Sequence, residues 1–228
     1  MKYLTNLFLG LVFSSCAVIS TSQFESAKTL EEGQAQFGVG VGMGREVATG
    51  LFFGSDKENF PSPIIEFYGK GNIASRIDAG LGWWLSSGSV GVKGSMKFQL
   101  SNNDSKYHVA INPGISWTGS DFETNINDKS GHVSAVSAHV PLLWSAHPSK
   151  MFAVYGGFHY IFTHVSLQDE NGLNRYRDLH TPGFTFGLQG NFGPVSLMPE
   201  FSVYSVRDFI LSRSQIVFFP NFGLAFNF

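Results

Sequence analysis

The sequence is poor in the features that mark most soluble or helical domains. One cysteine, Cys16, occurs in 228 residues, which excludes an intrachain disulfide and a cysteine-based zinc cluster. Charged residues make up 14%, against about 25% in an ordinary globular domain. The formal net charge is -2 and no Lys/Arg cluster is present, so a nucleic-acid partner is excluded. Beyond the N-terminus no apolar run approaches the ~20 residues of a spanning helix, because charges or glycines interrupt every stretch. A helical membrane protein is thereby set aside. No shift in composition marks a second domain.

What the chain does have is glycine and aromatics: 26 Gly, 23 Phe and 15% aromatic residues. Such a chain needs an apolar place for its rings without a helix to carry them. In a transmembrane β-barrel, lipid-facing and lumen-facing residues alternate and dilute the hydropathy signal, and the mean hydropathy of +0.03 fits that dilution.

The alternation is explicit. Over Ser89–Leu100, Val90, Val92, Met96, Phe98 and Leu100 share one face, opposite Ser89, Gly91, Lys93, Ser95, Lys97 and Gln99, the period of two that defines a strand. Tyr107–Trp117 repeats it, with Pro113 awkward for a central strand. Further strands are expected at Gln34–Met43, Pro61–Lys70, Ile73–Leu85, His132–Ser145, Phe152–Phe162, Thr181–Phe192, Val195–Val206 and Gln215–Phe228. The fold class expected is an all-β, antiparallel up-and-down transmembrane barrel of about ten strands, with eight or twelve as alternatives. Connections alternate in length as such barrels require, although two assigned to the outside, Ser86–Gly88 and Arg207–Ser214, are shorter. Gly71-Asn72, Asn102–Ser105, His147–Lys150 and Phe192–Pro194 are short, whereas Gly44–Phe60, Gly119–Gly131 and Gln168–Leu179 are long. Val47, Leu51, Phe52 and Phe53 within Arg45–Gly54 are the one stretch that disturbs the count.

The N-terminus reads as an address. Lys2 followed by the apolar Leu7–Phe13 and then Ser14-Ser15-Cys16-Ala17 has the order of an export signal. Cys16 after two small residues resembles the lipobox of bacterial lipoproteins, although Phe13 stands where that family prefers Leu. The resemblance implies lipidation at Cys16; otherwise cleavage falls near Thr21–Gln23. Residues 1–22 are therefore read as signal, 23–33 as a polar periplasmic lead, and 34–228 as the barrel.

At the other end Phe222, Leu224, Phe226 and Phe228 occupy alternate positions up to the last residue. This resembles the terminal strand of bacterial outer-membrane proteins, which the barrel-assembly machinery reads. The resemblance implies an outer-membrane protein whose partners are that machinery and outer-membrane lipid, with both termini periplasmic. Ala27–Gly33, Glu66–Lys70 and Arg76–Leu81 also resemble uncharacterised lipoprotein-like barrel families of Gram-negative and spirochaete-type bacteria, which carry no activity to transfer.

Alternation points Glu66, Lys70, Arg76, Asp78, Lys93, Lys97 and Glu200 into the lumen. Opposite charges pair in a narrow interior; the sharper alternative is a constriction that selects small solutes. His108, His139 and His159 also face inward. Three imidazoles are a potential metal set, though hydrogen bonding in a polar interior is the simpler role, and no metal or cofactor is expected. Barrel hydrolases need a Ser or Asp beside a His. His147-Pro148-Ser149 is better read as a turn, so no enzyme is expected. The first reading is a non-enzymatic barrel, either a narrow small-solute channel or a structural or surface-binding protein. The alternatives are a lipid-modifying or hydrolytic barrel enzyme and an exported, lipid-anchored β-sandwich.

Overall fold

A computed structural model describes residues 17–46, 61–86, 88–124, 129–169, 172–207 and 214–228. Its strands are β1 (Val18–Ser20), β2 (Ala35–Glu46), β3 (Pro61–Ala74), β4 (Ile77–Ser86), β5 (Ser89–Gln99), β6 (Tyr107–Ile111), β7 (Gly114–Thr124), β8 (Lys129–His139), β9 (Leu142–Ala146), β10 (Phe152–Asp169), β11 (Asn174–Phe192), β12 (Val195–Arg207) and β13 (Ser214–Asn227). Every pairing is antiparallel, and β13 pairs with β2, which closes the sheet on itself. β6 and β7 are two halves of one staff, as are β8 and β9, because β5 pairs with both of the first and β10 with both of the second. With β1 set aside, ten staves form the barrel.

The two breaks have a common cause. Pro113 and Pro141 interrupt adjacent staves, and neither can donate to a ladder. Their carbonyls still accept, from Met96 N at 3.0 Å and Asn112 N at 3.1 Å. Pro113 thus sits in a kink that the wall tolerates, inside a strand that sequence alternation had read as continuous.

Alternation sets the two faces. Val90, Val92 and Met96 are exposed on the outer wall with Leu81, Trp83, Ile115 and Phe158, while Lys97, Gln99 and Glu66 are buried within. The large apolar side chains thus cover the outside, as a membrane-spanning wall requires. Sequence and structure agree closely on strand positions, with three differences. β3 continues through Gly71-Asn72 to Ala74 with a register shift, so the turn falls at Ser75-Arg76 instead. The segments Gly119–Gly131 and Gln168–Leu179, read as loops, are mostly ladder: pairs run to Thr124↔Lys129 and Gln168↔Asn174. Their polar side chains hide the strand signal, but backbone pairing is indifferent to side-chain polarity. Most of Arg45–Gly54 lies outside the described residues.

The interior is filled by the chain itself. Residues 17–30 enter at the mouth that carries the long hairpins, where Val18 pairs with Glu46, and descend to the mouth that carries the short turns, where Ala35 and Phe228 exchange hydrogen bonds at 3.2 and 2.9 Å. Residues 18–22, read as the end of the signal, and most of 23–33, read as a polar lead below the barrel, therefore lie within it. Ala17, the first described residue, lies at the mouth of the long hairpins and Phe228 at the mouth of the short turns.

Pro220 explains how the segment is admitted. β13 pairs with β2 only from Asn221↔Gly42 downward, and from Pro220 upward β2 has no partner in β13. β1 takes the vacated edge, pairing Ser20 with Gly44 and Ile19 with Arg45. An open strand edge is thereby covered.

Because Val92 stands on the bare outer face at 49% exposure, Val92→Lys is expected to destabilise the folded barrel by about 2 to 4 kcal/mol near the bilayer midplane. Urea titration in lipid vesicles, followed by loss of the gel-mobility difference between boiled and unboiled samples, measures it.

Candidate functional site

Three buried carboxylates on the wall grip the threaded segment. Glu66 on β3 is 1% exposed. Its Oε2 accepts from Ser20 Oγ at 2.5 Å and Ser22 Oγ at 2.6 Å, and its Oε1 meets Lys93 Nζ at 2.5 Å. Asp78 on β4 accepts the backbone N–H of Leu30 at 3.1 and 3.2 Å and pairs with Lys97 at 2.9 Å. Glu200 on β12 accepts two successive backbone N–H groups, Gln23 at 2.9 Å and Phe24 at 2.8 Å. Paired backbone donors of this kind form an anion-binding concavity.

Phe24 sustains that concavity at a cost. Its φ is 45°, a left-handed conformation that costs a non-glycine residue roughly 1 to 2 kcal/mol. The ring is 1% exposed and stacks on Tyr68 with centroids 5.7 Å apart. Gly40 and Gly223 make the room: a Cβ on either would lie 2.2 or 2.8 Å from the ring.

The fourth anchor belongs to the segment itself. Glu25 Oε1 lies 2.9 Å from Lys97 Nζ and 3.6 Å from Lys70 Nζ, and its Oε2 accepts from Asn112 Nδ2 at 2.7 Å. Lys97 Nζ also donates to the carbonyls of Ser26 (3.3 Å) and Lys28 (2.9 Å). Lys97, 1% exposed, is thus the hub where two wall strands and the segment meet.

Of the seven charges expected in the lumen, six are there: Glu66, Lys70, Asp78, Lys93, Lys97 and Glu200. Arg76 is not. It sits in the turn at φ 65° and donates to Asn102 Oδ1 at 3.0 Å outside the barrel, because the turn comes later than Gly71-Asn72. Sequence alternation did not reveal the role of Glu25, since a residue in a lead has no face to read.

The three inward histidines divide into two places. His139 and His159 are neighbours on β8 and β10, through the pair His139↔Ile161, and His139 Nε2 meets Ser116 Oγ at 2.7 Å. His108 lies apart at the turn mouth, edge-on to His147 with ring centroids 5.2 Å apart. Burial in that turn, together with His108, pushes His147 down to about 4. Among the described residues no three His, Cys, Asp or Glu side chains stand close enough to hold a metal. Phe222, Leu224, Phe226 and Phe228 line the outer face of β13; Cys16 lies outside the described residues.

A second group of polar side chains, on the outer wall, escaped the sequence reading. The tripeptide His-Val-Ser occurs at 132–134 and again at 164–166. His132 Nδ1 meets Asp121 Oδ1 at 2.8 Å, and His164 Nδ1 meets Asp178 Oδ1 at 2.7 Å. The signal available was a His two residues from a Ser with an Asp in register across a hairpin; it was hidden because Asp121 and Asp178 fell in segments read as loops.

Lys97→Met removes the hub and leaves Glu25 and Asp78 buried without their shared cation. Breaking a buried ion pair from one side costs about 3 to 5 kcal/mol, so a loss of that size in urea titration is expected, against little change for the outlying Arg76→Met.

No family model matches the chain, and no curated protein matches it. Among solved structures it is similar to several bacterial outer-membrane barrels. The attachment invasion locus protein Ail of Yersinia pestis, in complex with the heparin analogue sucrose octasulfate, matches at 12% identity and a TM-score of 0.45 over 86% of this chain and 99% of that one. The outer-membrane protease OmpT of Escherichia coli matches at 12% identity and a TM-score of 0.47, over 89% of this chain and 100% of its own. An outer-membrane channel of Pseudomonas putida F1 matches at 9% identity and a TM-score of 0.46, over 92% of this chain and 100% of its own.

Proposed function

We propose that this protein is an integral barrel of the bacterial outer membrane that is closed to solutes as it stands and works through its outer wall and long hairpins. The observation that carries this reading is the threaded segment. Residues 17–30 run the length of the lumen and are fixed by Glu66, Asp78, Glu200 and Lys97, side chains that a conducting constriction would need free. A cavity of about 50 Å³ beside Glu25, Lys70 and Lys93 has room for a few waters. The outward apolar wall and the aromatic last strand support the outer membrane as its place. The asymmetry of turns and hairpins supports hairpins outside and turns in the periplasm.

A surface role agrees with the shape of the long-hairpin mouth. β10 and β11 stay paired from Phe152↔Gly190 to Gln168↔Asn174, so this hairpin is a rigid ribbon presenting Tyr176, Arg175 and Asp178 to the outside.

Purified full-length protein in a planar lipid bilayer is expected to give no stepwise conductance at neutral pH. Glu66→Ala combined with Glu200→Ala, which removes two grips on the segment, is expected to give openings. Steady conductance by the unaltered protein would overturn the closed-barrel reading.

A further inference from the structure

The outer wall carries an ordered polar patch directly above its apolar belt. Four neighbouring staves, β7, β8, β10 and β11, present it in rows fixed by their register. The uppermost row is Asp121, His132, Gln168 and Asn174; the next is Gly119, Ser134, Ser166 and Tyr176; below them come Trp117, Val136, His164 and Asp178. One row further down the belt begins on β10 with Phe162, above Tyr160 and Phe158. The two serines stand side by side, each with a histidine two residues away on its own strand. Each histidine is held through Nδ1 by an aspartate on the outer neighbouring stave.

We infer that Ser166, His164 and Asp178 form a serine hydrolase triad that cleaves acyl esters of membrane lipids, an activity that extends the outer-wall reading above and rests on it. The roles follow from chemistry. Asp178 Oδ1 at 2.7 Å from His164 Nδ1 fixes the tautomer that leaves Nε2 free to take a proton. Tyr176, directly across from Ser166, stacks on the imidazole with centroids 5.6 Å apart and an interplanar angle of 20°, which holds the ring beside the serine's row. Ser166 lies on the same face as His164, two residues and about 7 Å of strand rise away; the reaction requires Ser166 Oγ to come within hydrogen-bond reach of Nε2 when substrate binds. Between the two His-Val-Ser sites this one has the better-anchored base, since Asp178 is 56% exposed where Asp121 is 93% exposed.

Position selects the substrate. An ester joining an acyl chain to a polar headgroup lies where hydrocarbon meets water, and Ser166 stands at that boundary on the wall. An apolar hollow on the same wall, lined by Phe67, Leu81, Trp83, Ile115, Trp117 and Val136, ends against the patch and is the seat for the acyl chain. In the first half-reaction Ser166 Oγ attacks the ester carbonyl carbon while its proton passes to His164 Nε2. The carbon–oxygen bond to the alcohol breaks and the alcohol leaves with that proton. In the second, water attacks the acyl-serine, His164 takes its proton, and the fatty acid departs as Ser166 recovers the proton. One water is consumed, and one acid and one alcohol are formed.

The test uses the full chain in detergent micelles, with the boiled-against-unboiled gel shift confirming that each variant is folded. A hexadecyl fluorophosphonate is expected to label Ser166, as located by peptide mass spectrometry, and Ser166→Ala to remove the label. Fatty-acid release is measured in separate arms from phosphatidylethanolamine vesicles and from lipopolysaccharide, and release in either arm that falls at least 100-fold in His164→Ala supports the proposal and names the lipid. Ser134→Ala is expected to retain both signals. Label that follows Ser134, or neither label nor release from folded protein, would overturn it. Conductance of the unaltered protein is recorded in parallel: steady conductance overturns the closed-barrel reading alone, and absence of label and release with folded protein overturns the triad alone.

Discussion

The burial of carboxylates inside a closed wall governs the rest of this structure. Glu66, Asp78 and Glu200 are each at most 4% exposed, and a buried charge persists only where cations or N–H and O–H donors meet it. The wall supplies Lys93 and Lys97, with Asn72, Tyr155 and Asn221, and further lone pairs are met by backbone and hydroxyl groups of residues 20–30. The threaded segment is therefore a structural component of the barrel. Without it the three carboxylates would keep only their wall partners and lose the donors that face the lumen. Without the wall, the backbone N–H groups of Gln23, Phe24 and Leu30 would have no acceptors.

That dependence shapes the sheet around it. Gly40 and Gly223 face inward where Phe24 of the filling packs, and Gly38 faces inward where Tyr68 of the neighbouring stave packs, so small residues of the wall answer large residues in the lumen. Pro220 releases β13 from β2 at the level where β1 needs the edge. A proline in the closing strand looks like a defect when the strand is read alone. Beside β1 it is the point at which the barrel seam opens to admit a strand from within.

Much of this was legible in the sequence, and the parts that were not share a reason. Period-two alternation located the ten staves because each has one face in hydrocarbon; Ser89–Leu100 differs from the observed strand by one residue at its end, and Gln215–Phe228 by one residue at each end. The same periodicity put six lumenal charges on the correct face. It failed at Gly71-Asn72, where two turn-forming residues sit in a strand that continues past them, and so misplaced Arg76. It also failed at Gly119–Gly131 and Gln168–Leu179, where strands rise beyond the apolar belt and both faces become polar. The interior path of residues 17–30 was illegible for a different reason: an irregular segment carries no period, and its contacts with Glu200, Asp78 and Gln99 span 176, 48 and 70 residues of sequence.

A wall with a fixed interior changes what its exterior can do. The register that aligns His164 with Asp178 and Ser166 with Tyr176 is set by β-ladders whose inner faces are held by Ser137–Thr163 and by the apolar cluster of Ile19, Val133, Val165, Leu167 and Leu179. Ile19 belongs to the threaded segment. Packing it against β8, β10 and β11 stiffens the staves that carry both His-Val-Ser tripeptides, and a side-chain constellation on a stiff strand keeps its geometry better than one on a loop. The filling of the lumen thus steadies the outer-wall staves on which Ser166, His164 and Asp178 stand in register.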